Sequence, residues 1–272
     1  MWTDTGSVDW PAQVWTDRRL WTDRSGPDRE DALTLTENLL RPLLASDPAR
    51  PLITYYDDAT GERIELSGTT LANWAAKTAN LMRDECDIEP GARVAVLLPA
   101  HWQTLVVLLG AWWCGAEVVA DPAGADLVCC DADRLDVATA AGAGVVTALS
   151  LNAFGVGLSD LPAGVLDYAT EVRVHGDVFS PEAGGTDAAP ALDGRSVLEV
   201  LTEARAAAAS TGLTAVDRVL TSYDWSVTDG LVRVPLAVLA AGGSLVQCRN
   251  APADPEALDR RAAGERVTRR LD

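Results

Sequence analysis

Apolar residues along most of the chain follow one of two periods, and the switches between them predict the elements. Leu39, Leu40, Leu43 and Leu44 recur at helical spacing behind Thr36, which reads as the cap of a short helix. In PLITYYDDATGERIELS, residues 51–67, two β-rich runs flank Asp-Asp-Ala-Thr-Gly, and that turn chemistry predicts a hairpin. Leu71, Trp74, Ala75, Thr78, Leu81 and Met82 then take i, i+3, i+4, i+7 spacing, an amphipathic stripe that Ser67 or Thr69 can cap. Lys77 lies off this stripe and is assigned to a solvated face.

RVAVLLP, residues 93–99, is a continuous apolar run typical of a strand buried on both faces. A helix from His101 to Cys114 follows, then strands in AEVVA and DLVCC, a helical piece near Arg134–Ala141, and a strand in GVVTALSL. VLEVLTEARAAAAS reads as a helix with Val197, Leu198 and Leu201 on one face. DRVLTSY and GSLVQC read as strands around an apolar helix near Leu231–Ala241, with a short helix and strand beyond Pro252. Such alternation implies right-handed crossovers and an α/β fold of mostly parallel sheets flanked by helices. The apolar stretch from Val94 to Ala120 is not a membrane span. Pro99 breaks it, His101, Gln103 and Glu117 interrupt it, and Gly110 and Gly115 punctuate it.

Composition changes this picture at the N-terminus. Residues 1–32 repeat Trp-Thr-Asp three times among charges and Pro11, Gly26 and Pro27, with no helical or strand period. They read as a poorly ordered extension ahead of one region, 33–272, with a candidate subdivision near 176–193. An aromatic docking tail and a true start nearer Leu33 are the alternatives. A net charge of −18 argues against nucleic acid and anionic membrane as partners. No apolar leader precedes the acidic N-terminus, so cytoplasmic residence is expected. The five cysteines show no metal-ligand spacing and the histidines are only His101 and His175, so no metal site is expected. Adjacent Cys129 and Cys130 read as reduced core thiols, with a redox pair as the alternative.

Candidate chemistry gathers in three places. His101 follows a buried strand directly, where α/β sheets place ligands, but general-base work needs an acid and none lies nearby in sequence. Tyr223, Asp224, Trp225 and Asp229 follow the strand in DRVLTSY. The small-residue stretch GDVFSPEAGGTDAAPALDG, residues 176–194, offers Ser180 and Thr186, with Arg173 and Arg195 on either side. Trp112 and Trp113 read as helix core rather than a stacking box.

The order of segments, from IEPGARVAVLLPAHWQTLVVLLGAWWCGAEVV to GLTAVDRVLTSYDWSVTDGLVRVPLAVLAAGGSLV, resembles the N-terminal half of the adenylate-forming (AMP-binding, acyl-CoA synthetase-like) superfamily. It is most similar to short actinobacterial proteins distantly related to those enzymes. The resemblance implies carboxylate activation by ATP, with a Ser/Thr/Gly-rich loop and a lysine gripping phosphates. At that position this chain has FSPEAGGTDAAPALD, with no lysine and with Glu182, Asp187 and Asp193. The later Pro-aromatic-x-His motif reads SYDWSVTDG, without its histidine, and the family's Tyr-Gly-x-Thr-Glu motif and C-terminal lysine domain do not occur in the chain. The expectation is a catalytically degenerate, truncated relative acting as a binding or interaction module, with no cofactor. A partner protein or a homo-oligomer is the expected company. The alternatives are a residual enzyme or half-enzyme completed by a partner and using ATP or AMP and Mg, and an oligomeric scaffold. The cleft candidates are His101, Ser180, Thr186, Arg195, Tyr223, Trp225 and Asp229.

Overall fold

A computed structural model describes residues 33–153, 155–181, 186–227, 229–252 and 254–271. The N-terminal segment read above as an extension lies outside them, as does Glu182.

The first helix, α1 (Leu35–Ser46), is capped by Thr34 rather than Thr36. Thr34 Oγ1 accepts from the Glu37 amide at 3.3 Å, and Glu37 Oε2 accepts from the Thr34 amide at 3.0 Å. This reciprocal box needs Glu three positions after the cap, which Thr34 has and Thr36 lacks. Thr36 is buried and donates to the Leu109 carbonyl at 2.6 Å. The hairpin forms as β1 (Pro51–Asp57) and β2 (Glu62–Ser67), paired antiparallel. Gly61, with φ 77°, takes the left-handed step that returns the chain. Ser67 caps α2 (Gly68–Cys86) through the Thr70 amide.

Strand β3 (Arg93–Leu97) leads into α3 (Trp102–Trp113), a helix buried along its whole length. There follow β4 (Glu117–Val119), β5 (Leu127–Asp131), α4 (Leu135–Ala140), β6 (Val145–Leu149), β7 (Val165–Asp167) and α5 (Tyr168–Glu171). Two short strands, β8 (Pro190–Leu192) and β9 (Arg195–Ser196), pair antiparallel ahead of α6 (Val197–Thr211). The last part comprises β10 (Arg218–Thr221), α7, β11 (Ser244–Arg249), α8 (Pro255–Gly264) and β12 (Arg269–Leu271). Helix α7 runs through Asp229–Leu231, a π turn at Val232–Leu236, and Ala237–Ala240.

The strands make two sheets, ordered β12-β10-β11-β1-β2 and β7-β6-β5-β3-β4-β8-β9. Every pairing is parallel except β1–β2 and β8–β9. One apolar cluster takes Ile53, Val219 and Leu245 from the first sheet and Val94, Leu127 and Cys129 from the second, together with α1, α2, α3, α6 and α7. Neighbouring residues face away from it: Val128 and Cys130 pack in a second cluster, Leu220 and Val246 in a third. Period-two alternation therefore sends Cys129 and Cys130 to opposite faces of β5. All five cysteines are buried, and burial pushes the Cys130 thiol up to about 11.

Two further expectations change. Leu198 is 51% exposed, and Val197, Val200, Leu201, Ala204 and Ala208 form the buried face of α6. Lys77 is not a solvated side chain: it is half-buried and donates to the His175 carbonyl at 2.5 Å. No helix among the described residues is long and apolar enough to cross a membrane.

Candidate functional site

The carboxyl end of β10 is built by one buried side chain. Gln247 on β11 is 1% exposed, accepts from Trp225 Nε1 at 3.0 Å and donates to the Tyr223 carbonyl at 2.9 Å. A glutamine there satisfies a donor and an acceptor together, so the loop 222–226 is held from beneath. Asp224 Oδ1 accepts from the amides of Ala100 (3.1 Å) and Trp225 (2.9 Å). Through Asp224 this loop is joined to the turn that enters α3.

Above that loop lies a cleft of about 870 Å³ between α6, the first turns of α7 and β12. Tyr223, Asp224, Asp229, Arg233 and Arg270 supply its aromatic and charged lining. Arg270 is committed to Asp259 at 2.7 Å and Asp224 to the two amides. Asp229 and Arg233 have no hydrogen bond or ion pair among the described residues. Residues four apart on an α-helix face one another and an Asp–Arg pair would normally meet. Arg233 falls in the π turn, where Pro235 supplies no N–H.

Of the sequence candidates, Tyr223 and Asp229 line this cleft and are brought together there. Trp225 does not: it is 3% exposed and works as a packing residue whose indole N–H is used by Gln247. Ser180 and Thr186 are exposed and stand apart from the cleft. Arg195 bonds Glu203 at 2.8 Å and the Leu192 carbonyl at 3.2 Å, fixing the β8–β9 pair. Arg233 was not singled out from sequence. Its signal was an arginine and a proline inside an otherwise apolar helix, LVRVPLAVLA.

His101 is 1% exposed and caps α3: its Nδ1 accepts from the Gln103 amide at 3.1 Å. In the neutral imidazole the proton therefore resides on Nε2. That nitrogen faces Glu62 Oε1 at 3.7 Å, too long for a hydrogen bond, and both atoms are buried without one. The acid that sequence could not supply thus comes from β2. Burial pushes the His101 pKa below its ordinary value, with Arg249 acting in the same direction and Glu62 and Asp57 opposing. Tyr55 stacks edge-on at 4.3 Å. The His101 side chain is 1% exposed and the Glu62 side chain 10%.

Ahead of residue 180, the chain is pinned to α2. Lys77 holds His175, Asn80 Nδ2 donates to the carbonyls of Gly176 (2.8 Å) and Val178 (3.0 Å), and Phe179 sits between Trp113 and the Arg83 guanidinium. Beyond them, Asp193 and Gly194, with φ 49° and 83°, form the tight turn between β8 and β9. The small-residue stretch 176–194 therefore contributes to a sheet: β8 pairs with β4. No cluster of three or more metal-ligating side chains occurs among the described residues.

No family model matches the chain. A protein of Mycobacterium tuberculosis (strain H37Rv), described as a TIGR03089 family protein, is 56% identical over 243 residues, covering 88% of this chain and 98% of that protein. Among solved structures, the anthranilate CoA ligase AuaEII in complex with anthranoyl-AMP superposes with a TM-score of 0.71 at 12% identity, over 90% of this chain. The acyl-CoA synthetase of Brucella canis gives 0.71 at 17% identity over 91%, and a benzoate CoA ligase of Burkholderia xenovorans LB400 gives 0.65 at 18% over 88%. The chain spans about half the length of these ligases: 50%, 48% and 50%.

Proposed function

The chain belongs to the TIGR03089 family and has the fold of the N-terminal part of an acyl-CoA ligase, and on that premise we propose that it is a binding module whose scaffold no longer grips a nucleotide triphosphate. The use made of Lys77 carries this reading. It is the only lysine in the chain, and its ammonium is spent on the His175 carbonyl, tethering the approach to the loop instead of facing phosphates. The residues around that loop do not fit a triphosphate. Among those described, Asp187 and Asp193 add negative charge, Ser180 and Thr186 point to solvent, and no cation is free to answer. Like charges brought together oppose binding.

Isothermal titration with ATP-Mg, alone and with aliphatic, aromatic and amino acids, tests the reading. No saturable heat is expected. Submicromolar ATP binding, or pyrophosphate exchange that depends on a carboxylate, overturns it.

A half-enzyme completed by a partner is favoured by one observation, the coverage of about half of each ligase. Its nucleotide contacts would have to be Arg173 and Arg195. Arg173 is bonded to the Gly155 carbonyl and Arg195 to Glu203 and Leu192. Both guanidiniums would have to be released first, which weighs against this second reading.

A further inference from the structure

The turn from β3 into α3 ends on His101, which faces two parts of the molecule at once. On one side, Nδ1 accepts from the Gln103 amide at 3.1 Å and starts the helix. One residue earlier, the Ala100 amide donates to Asp224, which also takes the Trp225 amide in the loop beyond β10. The other side of the ring meets the first sheet. There Arg249, Asp57 and Glu62 are neighbours in one row across β11, β1 and β2, and Tyr55 lies two residues before Asp57 on the same face. Asp57 is committed to the Ala59 amide (2.9 Å) and to Asn250 (2.8 Å). Glu62 Oε1 is buried without a hydrogen bond, and so is His101 Nε2, 3.7 Å away. Leaving either atom unanswered costs free energy, and each is the chemical partner of the other.

We infer that His101 is a pH-sensitive latch with two exclusive partners. Uncharged, the ring caps α3 through Nδ1; protonated, it leaves the Gln103 amide for the Glu62 carboxylate and shifts the loop 222–226 through the Ala100–Asp224 bond. The neutral ring has one donor and one acceptor, and the cap uses the acceptor. Protonation places an N–H on Nδ1, so two donors then face each other at the start of α3. The Nε2–H gains charge at the same time, and its bond to a carboxylate already within 3.7 Å becomes a charge-assisted one. Both changes drive the ring in one direction. Burial disfavours the imidazolium most, Glu62 and Asp57 favour it, and Arg249 disfavours it. Tyr55 is an uncharged neighbour, its phenol pushed up by burial. The latch therefore stays on the cap at neutral pH and moves only in acid. Because Asp224 is shared between the Ala100 and Trp225 amides, a displacement of Ala100 reaches Trp225 and its contact with Gln247. The inference goes beyond the module reading and is independent of whether nucleotide binds.

The test is an NMR titration of the full chain, isotope-labelled at histidine and tryptophan, from about pH 8 to 4.5. The chain carries only two histidines, so His101→Asn assigns the ring, and Trp225→Phe assigns the indole. The His101 ring is expected to pass from the Nε2–H tautomer to the imidazolium. The Trp225 indole N–H is expected to shift with the same midpoint while far-UV circular dichroism holds. In Glu62→Gln the ring midpoint is expected to fall by about one unit or more, because the charged form loses its partner. In Asp224→Ala the ring still titrates but the Trp225 shift disappears, and Asp224→Asn, which retains a carbonyl acceptor, restores it. Should Asp224→Ala fail to fold, the Glu62→Gln midpoint and the loss of the Trp225 shift in His101→Asn decide. A ring that stays neutral until the chain unfolds, an unchanged midpoint in Glu62→Gln, a Trp225 shift with a different midpoint, or one that survives in His101→Asn or Asp224→Ala overturns the proposal.

Discussion

His101 shows how one side chain can carry two constraints at once. Its Nδ1 is the acceptor that starts α3, so the ring must stay neutral to hold the Gln103 amide, and its burial already disfavours the charged form. Protonation would replace that acceptor with a second donor, while Glu62 at 3.7 Å would gain an ion-pair partner. With the folded pKa below the ordinary 6.5, the unfolded chain binds more protons. Stability is therefore fully present above about pH 6.5 and falls as pH drops through the folded value. Chemical denaturation from pH 7.5 to 5 is expected to show this decline in the wild type. His101→Asn keeps a capping acceptor without a titrating ring, so its decline over that range should be smaller. His101→Ala should lose about 1 kcal/mol at pH 7.5 as the cap disappears. Identical pH profiles for wild type and His101→Asn would show that the histidine is not the titrating group.

The α2–α3 pair determines where the pieces of the site lie. Gly110 lets these helices approach closely: a Cβ there would stand 2.8 Å from Thr78 Cγ2 and 3.2 Å from the Ala79 amide. Thr78 cannot simply turn away, because its hydroxyl is bonded to the Trp74 carbonyl and to Tyr168. Gly110→Ala is expected to cost about 1–3 kcal/mol, read as a lower urea midpoint. Were its stability to match wild type, the close approach would not be needed. The same pair anchors the elements around it. Helix α2 pins 175–179 through Lys77 and Asn80, and Trp112 of α3 donates to the Ala191 carbonyl of β8 at 2.7 Å. The sequence predicted both helices, but not which polar side chains would be diverted to hold other segments.

At the scale of the whole molecule, the first sheet is tied to α8 by a charge network. Glu265 is 9% exposed and accepts from Tyr56 OH at 2.5 Å, from Arg63 at 2.9 Å and from Arg218. Burial alone would raise its pKa, yet these donors bring it down to about 2. A carboxylate with a depressed pKa contributes stability that is complete above its unfolded value near 4.5 and is lost as pH falls towards 2. Glu265→Gln is expected to cost about 2 kcal/mol at neutral pH, the scale of a hydrogen bond to a charged group, and to flatten the acid limb between pH 4.5 and 2. An unchanged acid limb would assign that loss of stability to other carboxylates.

The sequence by itself determined the elements and their class, because periods of two and 3.6 are local properties: the hairpin, the buried strand RVAVLLP and the helices were legible residue by residue. It also pointed to Tyr223 and Asp229 as candidates, since a loop at a strand's carboxyl end can be counted along the chain. Tertiary structure decided which polar groups remain available. Lys77 became a tether, Trp225 a packing residue, Arg195 a strand clamp and His101 a helix cap, each through a partner in another element or across a turn. Arg233 and Asp229 both line the cleft beyond β10. A free charge is defined by every neighbour it lacks, and those neighbours are assembled only when distant segments pack together.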